Sequence, residues 1–415
     1  MSTSNSSFLA DFAVMSSFGA TAGGGVDRQA GTPEDHAVRA WFSTWLAEHG
    51  LTEAVDSAGN QFGLVELVPG APWVLLGSHL DSQPLAGRYD GAYGVLAAAH
   101  AVVRAAAASE AGELAPAFNL AVVNWFNEEG SRFTPSMMGS GVFTGKLSLE
   151  TARATADLAG TTVAEALGSP SAAGTAPALD SVARYAEIHI EQGRILEETG
   201  TQVGIVDKTW AAAKYQVTVD GDQSHTGSTR MVDRRDALYG AALVIAAARD
   251  LTEEFEPGLL HSSVSQLQVL PNSPVTIARQ VVMNLDLRSP DESVLARAMD
   301  LLDKRIAEAE SRSRTGVSLA LTHQWGLNPY QPAGVRLGRA AADALGFTHR
   351  DIMTVAGHDS TNLKDHVPTV MLFVPSVEGI SHNEAEFTRD EDAVRGVELL
   401  TEVALRLVRG DSVED

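Results

Sequence analysis

A chain of 415 residues, 44 % of them hydrophobic and 20 % charged, is too long for one ordinary hydrophobic core, so two domains are expected. Its 53 acidic residues outweigh 30 basic ones, for a formal charge of -23, and such a surface repels phosphate backbones and anionic lipid, which argues against nucleic acid and membrane as partners. It has no cysteine, so disulfides and thiolate metal sites are excluded and any metal must be held by His, Asp and Glu.

Residues 1–25 are rich in Ser, Gly and Ala, lack Lys and Arg, and hold no apolar run long enough for the core of a signal peptide. Nothing further along approaches the roughly 18 uninterrupted apolar residues that a membrane span needs. A cytoplasmic enzyme or binding protein is the expectation.

Over 33–50, Val38, Trp41, Phe42, Trp45 and Leu46 fall at helical spacing, with Thr32 as N-cap and Gly50 past the last turn, which predicts a helix packed on a core. Residues 56–70 read as a hairpin turning at Ser57-Ala58-Gly59-Asn60. The apolar run Trp73-Val74-Leu75-Leu76, bounded by Pro72 and Gly77, reads as a buried strand. It delivers Gly77-Ser78-His79-Leu80-Asp81-Ser82 to a carboxyl end, where open α/β sheets place their ligands. An alanine-rich helix over 91–108, apolar almost all round, is expected against the sheet. A second buried strand over 118–126 ends in Asn127-Glu128-Glu129-Gly130, and two adjacent carboxylates there require a compensating cation. Residues 147–177 read as helices and loops, and a third strand over 185–190 carries His189 near its end, with Glu191-Gln192-Gly193 opening the next helix.

The organisation changes near Asp207. A strand over 215–219, a helix over 233–255, strands over 262–270 and 281–287, a helix over 292–311 and a strand over 317–323 give the βαββαβ order of a ferredoxin-like unit. Arg234, Arg235 and Asp236 at the start of the first of these helices read as capping and surface pairing. Amphipathic helices over 335–345 and 391–408 then flank a buried strand over 369–374, which leads into Gly379-Ile380-Ser381-His382-Asn383. The expected fold class is α/β: an open-sheet catalytic domain with helices on both faces over 1–210 and 326–415, plus an inserted ferredoxin-like α+β lid or dimerisation domain over 211–325. Four strand ends thus carry metal-type side chains: His79 with Asp81 and Asp90, Glu128 with Glu129, His189, and His382. Ends on one edge of a parallel sheet converge, so the residues point to a two-metal site.

Seven short stretches, in this order, resemble a known family: Gly77 to Ser82, Gly87-Arg88-Tyr89-Asp90-Gly91, Asn127-Glu128-Glu129-Gly130-Ser131-Arg132-Phe133, His189-Ile190-Glu191-Gln192-Gly193, Ser224-His225-Thr226-Gly227, Ala356-Gly357-His358-Asp359 and Gly379 to Asn383. The family is the N-carbamoyl-L-amino-acid hydrolase and allantoate amidohydrolase branch of the dinuclear aminoacylase/carboxypeptidase metallohydrolases. The resemblance implies two divalent metal ions (zinc, manganese, cobalt or nickel), bridged by Asp90 and completed by His79, His189, Glu129 and His382, with Asp81 orienting His79 and Glu128 as general base. It further implies that His225 stabilises the oxyanion, that Arg288 holds the carboxylate of a small-molecule substrate, that Gln192, Gly357 and His358 contact that substrate, and that the inserted domain forms a homodimer. The reaction implied is cleavage of the C–N bond of an N-carbamoyl amino acid or related ureido acid; an N-acyl amino acid or dipeptide hydrolase is the alternative enzyme, and a non-catalytic metal-binding protein a further one.

Two substrate-side stretches depart from the family pattern. Where the family has an Asn followed by an Ile-Pro-Gly type turn, this chain has Val275-Thr276-Ile277-Ala278-Arg279; where it has His-Ala-Gly-Thr-Thr-Pro-Met, this chain has His225-Thr226-Gly227-Ser228-Thr229-Arg230-Met231. Surface drift explains two new arginines, as does a substrate with a displaced or second acidic group. On the second account Arg230→Ala is expected to raise KM for the true substrate, and an unchanged KM removes that account.

Overall fold

A computed structural model describes residues 3–168 and 174–411, so part of the predicted 147–177 segment lies outside the described residues. The chain forms two compact units, residues 1–207 with 330–415, and residues 208–329.

In the first unit the sheet order is Thr52–Val55, Gln61–Val65, Asn119–Trp125, Trp73–His79, Val182–Ile190, Thr369–Val374, Val203–Thr209, with His349–Thr354 also paired to the last. Strands 119–125, 73–79, 182–190 and 369–374 run parallel, and their neighbours on either side are antiparallel. Helices cover both faces, so strands 73–79, 119–125 and 369–374 read as largely apolar runs rather than alternating ones, whereas 182–190 also buries Arg184, Glu187 and His189. The pleat still sorts them: Val74, Leu76, Leu120, Val122, Ala186 and Ile188 enter the larger core with the helices Ala92–Glu110 and Asp390–Arg409, whereas Leu75, Ala121, Val123, Trp125 and Tyr185 enter a smaller core on the other face. Gly77 has no side chain for a packing reason: a Cβ there would stand 1.9 Å from the Val123 carbonyl oxygen of the adjacent strand.

Thr32 caps the helix Pro33–Glu48 by accepting the Asp35 N–H, and Val38, Phe42, Trp45 and Leu46 are buried on one side of it. The helix Ala92–Glu110 has the length and apolar composition of a membrane span, yet every residue from Ala92 to Val103 is buried within this unit. The serine-rich beginning of the chain, unassigned by periodicity, forms a helix, Asn5–Met15, started by a Ser4–Ser7 capping box and seated on the core by Phe8, Phe12 and Met15.

The second unit has the element order strand, helix, strand, strand, helix, strand. Its antiparallel sheet is ordered Gly316–Trp325, Ala211–Asp220, Gln280–Ser289, His261–Leu270. Val217, Val219, Val281, Met283, Leu285 and Leu287 form one core with Val244 of the helix Ala237–Asp250 and Leu295, Leu302 and Ile306 of the helix Glu292–Ser313. The first of these helices is shorter than the predicted 233–255: Asp236 is its N-cap, accepting from Leu238 and Tyr239, so Arg234 and Arg235 precede the helix. Its far end continues as a 3₁₀ turn, Leu251–Glu254.

Because Gly77 leaves no room for a methyl group, Gly77→Ala is expected to destabilise the first unit by at least about 2 kcal/mol, as overpacking does. Calorimetry that shows an unchanged melting temperature would contradict this packing.

Candidate metal centre

The parallel strands bring their carboxyl ends together, and each delivers its side chain in a fixed posture. His79 ends its strand, and its Nδ1–H donates to the Asp81 main-chain oxygen at 2.9 Å. His189 does the same with the Ile190 oxygen, also at 2.9 Å. With Nδ1 so engaged, Nε2 of each ring is turned to Asp90. Asp90 lies at the head of the helix Ala92–Glu110, and Oδ1 is 3.0 Å from His189 Nε2 and 3.7 Å from His79 Nε2. Its other oxygen, Oδ2, is 3.2 Å from His382 Nε2, which in turn is 3.5 Å from Glu129 Oε2. His79, Asp90 and His189 therefore form one candidate ligand group, and Asp90, Glu129 and His382 a second, each with its ligand atoms within 4.8 Å of one another.

Asp81 does two jobs. Its main-chain oxygen holds the His79 ring, while its carboxylate, 3.6 Å from His79 Nδ1, accepts the N–H groups of Glu128 at 3.2 Å and Glu129 at 3.3 Å. The orientation expected of the Asp81 side chain thus comes chiefly from its backbone, and the side chain sets the turn that carries both glutamates. Glu128 Oε2 reaches to 3.4 Å from His79 Nε2 but belongs to neither ligand group.

Backbone strain gathers here. Asn127, Gln192 and His382 have φ of 52°, 58° and 52°, a left-handed region that side chains other than glycine occupy at a cost. Gly91, at φ 61°, could be nothing larger: a Cβ would lie 2.2 Å from His79 Nε2.

The electrostatics call for cations. Burial, reinforced by Asp35, pushes the Asp81 carboxyl up to about 7. Burial and the charge of Asp90 push Glu129 up to about 8, and burial with Asp359, Glu129 and Asp81 holds Glu128 well above the carboxylate range. Burial alone would lower His189 and His382, but hydrogen bonds to Asp90 and its charge raise both to about 9. Asp90 is correspondingly held well below its ordinary value, those hydrogen bonds outweighing burial. His79 is lowered to about 4 by burial. Protons thus neutralise a buried acidic cluster in which three imidazoles and two carboxylates converge, and this oxygen and nitrogen donor set fits divalent metal ions in their place.

Gln192 turns inward, but its Nε2–H groups go to Asp90 Oδ2 at 2.8 Å and Ser381 Oγ at 3.1 Å, while its Oε1 is buried without a partner. His358 is buried with its ring centroid 4.5 Å from that of His189, and its Nε2 is likewise unpartnered. Gly357 precedes it against Met137, where a Cβ would stand 3.1 Å from Cε. Sequence reasoning passed over Glu386, a buried carboxylate that accepts the N–H groups of Tyr89 and Asp90 at 2.9 and 3.0 Å. A lone Glu in an acidic loop gives no signal of that task.

The remaining sequence-predicted residues lie in the second unit. His225 is exposed on a two-residue strand paired with Thr276–Ile277, and its Nδ1 accepts the N–H groups of Gly227 and Ser228, which leaves Nε2 as the protonated nitrogen of the neutral ring. Arg288 directs Nε and Nη2 to the Asp286 carboxylate at 2.9 and 2.8 Å. Arg230, 76 % exposed, is bound by Asp233, and Arg279 is exposed.

An open sheet that gathers histidines and carboxylates at its carboxyl edge offers donors suited to divalent metal ions. Residues 75–406 match the family described as Peptidase family M20/M25/M40, and the chain belongs to it. It is 54 % identical to a protein of Mycolicibacterium smegmatis described no further than as a hydrolase, covering 97 % of this chain and 93 % of that one. It is 34 % identical to an N-carbamoyl-L-amino-acid amidohydrolase of Rhizobium meliloti, covering 94 % and 93 %. Among solved structures, an amidase of the hydantoinase/carbamoylase family from Burkholderia vietnamiensis superposes with a TM-score of 0.90 at 34 % identity, covering 99 % of both chains. The resemblance read from the seven stretches is therefore upheld.

Asp81 and Glu129 sit at about 7 and about 8, above their ordinary 3.8 and 4.5, and His189 and His382 at about 9, above 6.5. All four bind a proton more tightly in the folded state, so the stability they contribute is full below the ordinary values and is lost as pH rises through the folded ones. Chelator-treated protein is expected to lose melting temperature between pH about 6.5 and about 9, and a saturating divalent ion to remove that dependence. A melting temperature that stays level across this window with chelator present would overturn the electrostatic account.

Proposed function

We propose that the protein is a metal-dependent amidohydrolase that cleaves the C–N bond of an N-carbamoyl amino acid or related ureido acid. The observation that carries the reading is Asp90, whose two oxygens face two different histidines, His189 at 3.0 Å and His382 at 3.2 Å. Asp90 would thus contribute a ligand oxygen to each of the two groups. His79 and His189 would complete one ion's ligands, Glu129 and His382 the other's, and zinc, manganese, cobalt or nickel all suit the donors. When bound, such ions supply Lewis acidity, acidifying the attacking water and polarising the substrate carbonyl.

Glu128 moves the proton. It stands beside both ligand groups without belonging to either, and its turn is fixed by the Asp81 carboxylate. It takes a proton from the water that attacks the ureido carbon and gives it to the leaving nitrogen as the tetrahedral intermediate collapses. Ammonia and carbon dioxide follow when the group is carbamoyl. The Nε2–H of His225 has the donor polarity required of an oxyanion partner, and Arg288 would meet a substrate carboxylate only by sharing or exchanging the Asp286 carboxylate that now holds its Nε and Nη2. The relatives named as N-carbamoyl-L-amino-acid amidohydrolases and hydantoinase/carbamoylase amidases support the ureido substrate over an N-acyl amino acid or dipeptide. A metal-binding protein without catalysis would have no use for Glu128. The βαββαβ order and strand sequence of the second unit support a ferredoxin-like domain, and its edge strands, His261–Leu270 and Gly316–Trp325, support a homodimer formed through it.

After metal loading, ammonia release is expected from at least one member of a panel of N-carbamoyl amino acids, N-carbamoyl-β-alanine and allantoate. Release of a primary amine from N-acyl amino acids or dipeptides, with no ammonia from the panel, would replace the carbamoyl assignment. Glu128→Gln is expected to lower kcat by about 100- to 10,000-fold while metal content stays at the wild-type level. Unchanged turnover in this variant would remove Glu128 from the chemistry.

A further inference from the structure

The ligands of the second group differ in how firmly the fold holds them. Asp90 stands at the head of a buried helix, and Glu129 follows a strand whose turn is clamped by Asp81. His382 has neither support. It lies eight residues past the strand Thr369–Val374, outside any helix or strand, with a left-handed φ of 52° and a side chain 49 % exposed. Its neighbour Ser381 reaches Asp90 Oδ2 at 3.1 Å and Glu386 Oε2 at 2.9 Å. Glu386, only 4 % exposed, closes the circuit: its Oε1 accepts the main-chain N–H groups of Tyr89 and Asp90. Two segments nearly 300 residues apart are thereby joined through one carboxylate. The fold makes room for it, since a Cβ on Gly87 would lie 2.0 Å from Glu386 Oε1.

From this geometry we propose that Glu386 is a positioning residue for the second ion: it locks the His382 loop to the Asp90 turn and so sets the distance between His382 and Asp90 Oδ2. The inference rests on the two-ion reading given above. The effect falls mainly on the second group, because the two histidines of the first are oriented without Glu386 and only the shared Asp90 touches it. His79 and His189 are oriented by main-chain oxygens of Asp81 and Ile190, and both face the other oxygen of Asp90. The carboxylate shape matters more than its charge. Gln at this position keeps one oxygen for the two main-chain N–H groups and offers an N–H to Ser381 Oγ, whose own hydrogen is then free for Asp90.

The test is a titration of the chelator-stripped full chain with manganese alone, followed by calorimetry and by metal analysis after gel filtration. Wild type is expected to bind two ions per chain. Glu386→Ala is expected to keep the tighter ion within about threefold and to weaken the other by about 10- to 100-fold, the range for losing a group that orients a ligand, and Glu386→Gln to restore the second ion. Should the alanine variant not fold, Glu386→Asp, which keeps the charge but shortens the reach, is expected to show the same selective loss. The proposal is overturned if the folded variant holds both ions with wild-type affinity, if it loses both equally, or if Gln fails to restore what Ala removed. A wild-type protein that binds a single ion would instead bring down the two-ion reading, and this inference with it. The two failures are thus read from different samples.

Discussion

The crowding of carboxylates at one sheet edge is the constraint on which the rest of the first unit depends. Asp81, Asp90, Glu128, Glu129 and Glu386 all lie within it, and burial works against the ionised form of each. Left alone, such a cluster pulls protons onto its carboxyls and onto His189 and His382, which is a poor arrangement for stability and a good one for capturing cations. The surroundings keep the groups in place largely through uncharged main-chain contacts. Main-chain oxygens orient the imidazoles, main-chain N–H groups hold Asp81 and Glu386, and glycines at 77, 87 and 91 let the pieces close on one another. The buried Arg28 interacts with the charges of Asp35 and Asp81, while its Nε–H and Nη1–H groups go to the carbonyls of Leu80, Met15 and Phe18.

This division also explains how one site can serve two chemical tasks. Ligands need to be fixed, whereas a proton carrier needs freedom from coordination and a strong tendency to hold a proton. Glu128 and Glu129 are neighbours on one turn, and the pleat and the left-handed Asn127 send one toward His79 and the other toward His382. Asp81 holds both of their main-chain N–H groups, so the positions of the proposed base and the proposed ligand are coupled through a single side chain.

Much of this was legible in the sequence, for a physical reason. A parallel sheet covered on both faces produces unbroken apolar runs, and in such runs the first polar residues mark the carboxyl ends. His79, Glu128 and Glu129 were visible on that ground, His189 only by its place near the end of a strand that already holds Arg184 and Glu187, and the βαββαβ order of the second unit was visible in its periodicity. What escaped were features set by tertiary context. The helix Asn5–Met15 is written mostly in serine, alanine and small residues, and only its seat on the core makes it helical. The end of the helix Ala237–Asp250 was overrun because Leu251 to Glu254 keep good helix formers after the α-helical bonding has stopped. Glu386 carried no local pattern at all, since its partners are nearly 300 residues away. Asp90 and His382 were read with the strand ends too, although each lies in the loop some way beyond its strand.

The order in which the ligands occur along the chain has a consequence for how the centre comes into being. His79, Asp90 and His189 all lie in the first half, on or beside adjacent parallel strands, whereas His382 arrives only after the whole of the second unit has been made. During synthesis the first ligand group can assemble on its own while its partner lacks a histidine. On the proposed two-ion reading, the protein would therefore grow through a stage at which it could hold one ion but not two. Closing the second group would then report that the two ends of the first unit have found each other, and occupancy of the proposed pair would double as a readout of completed folding.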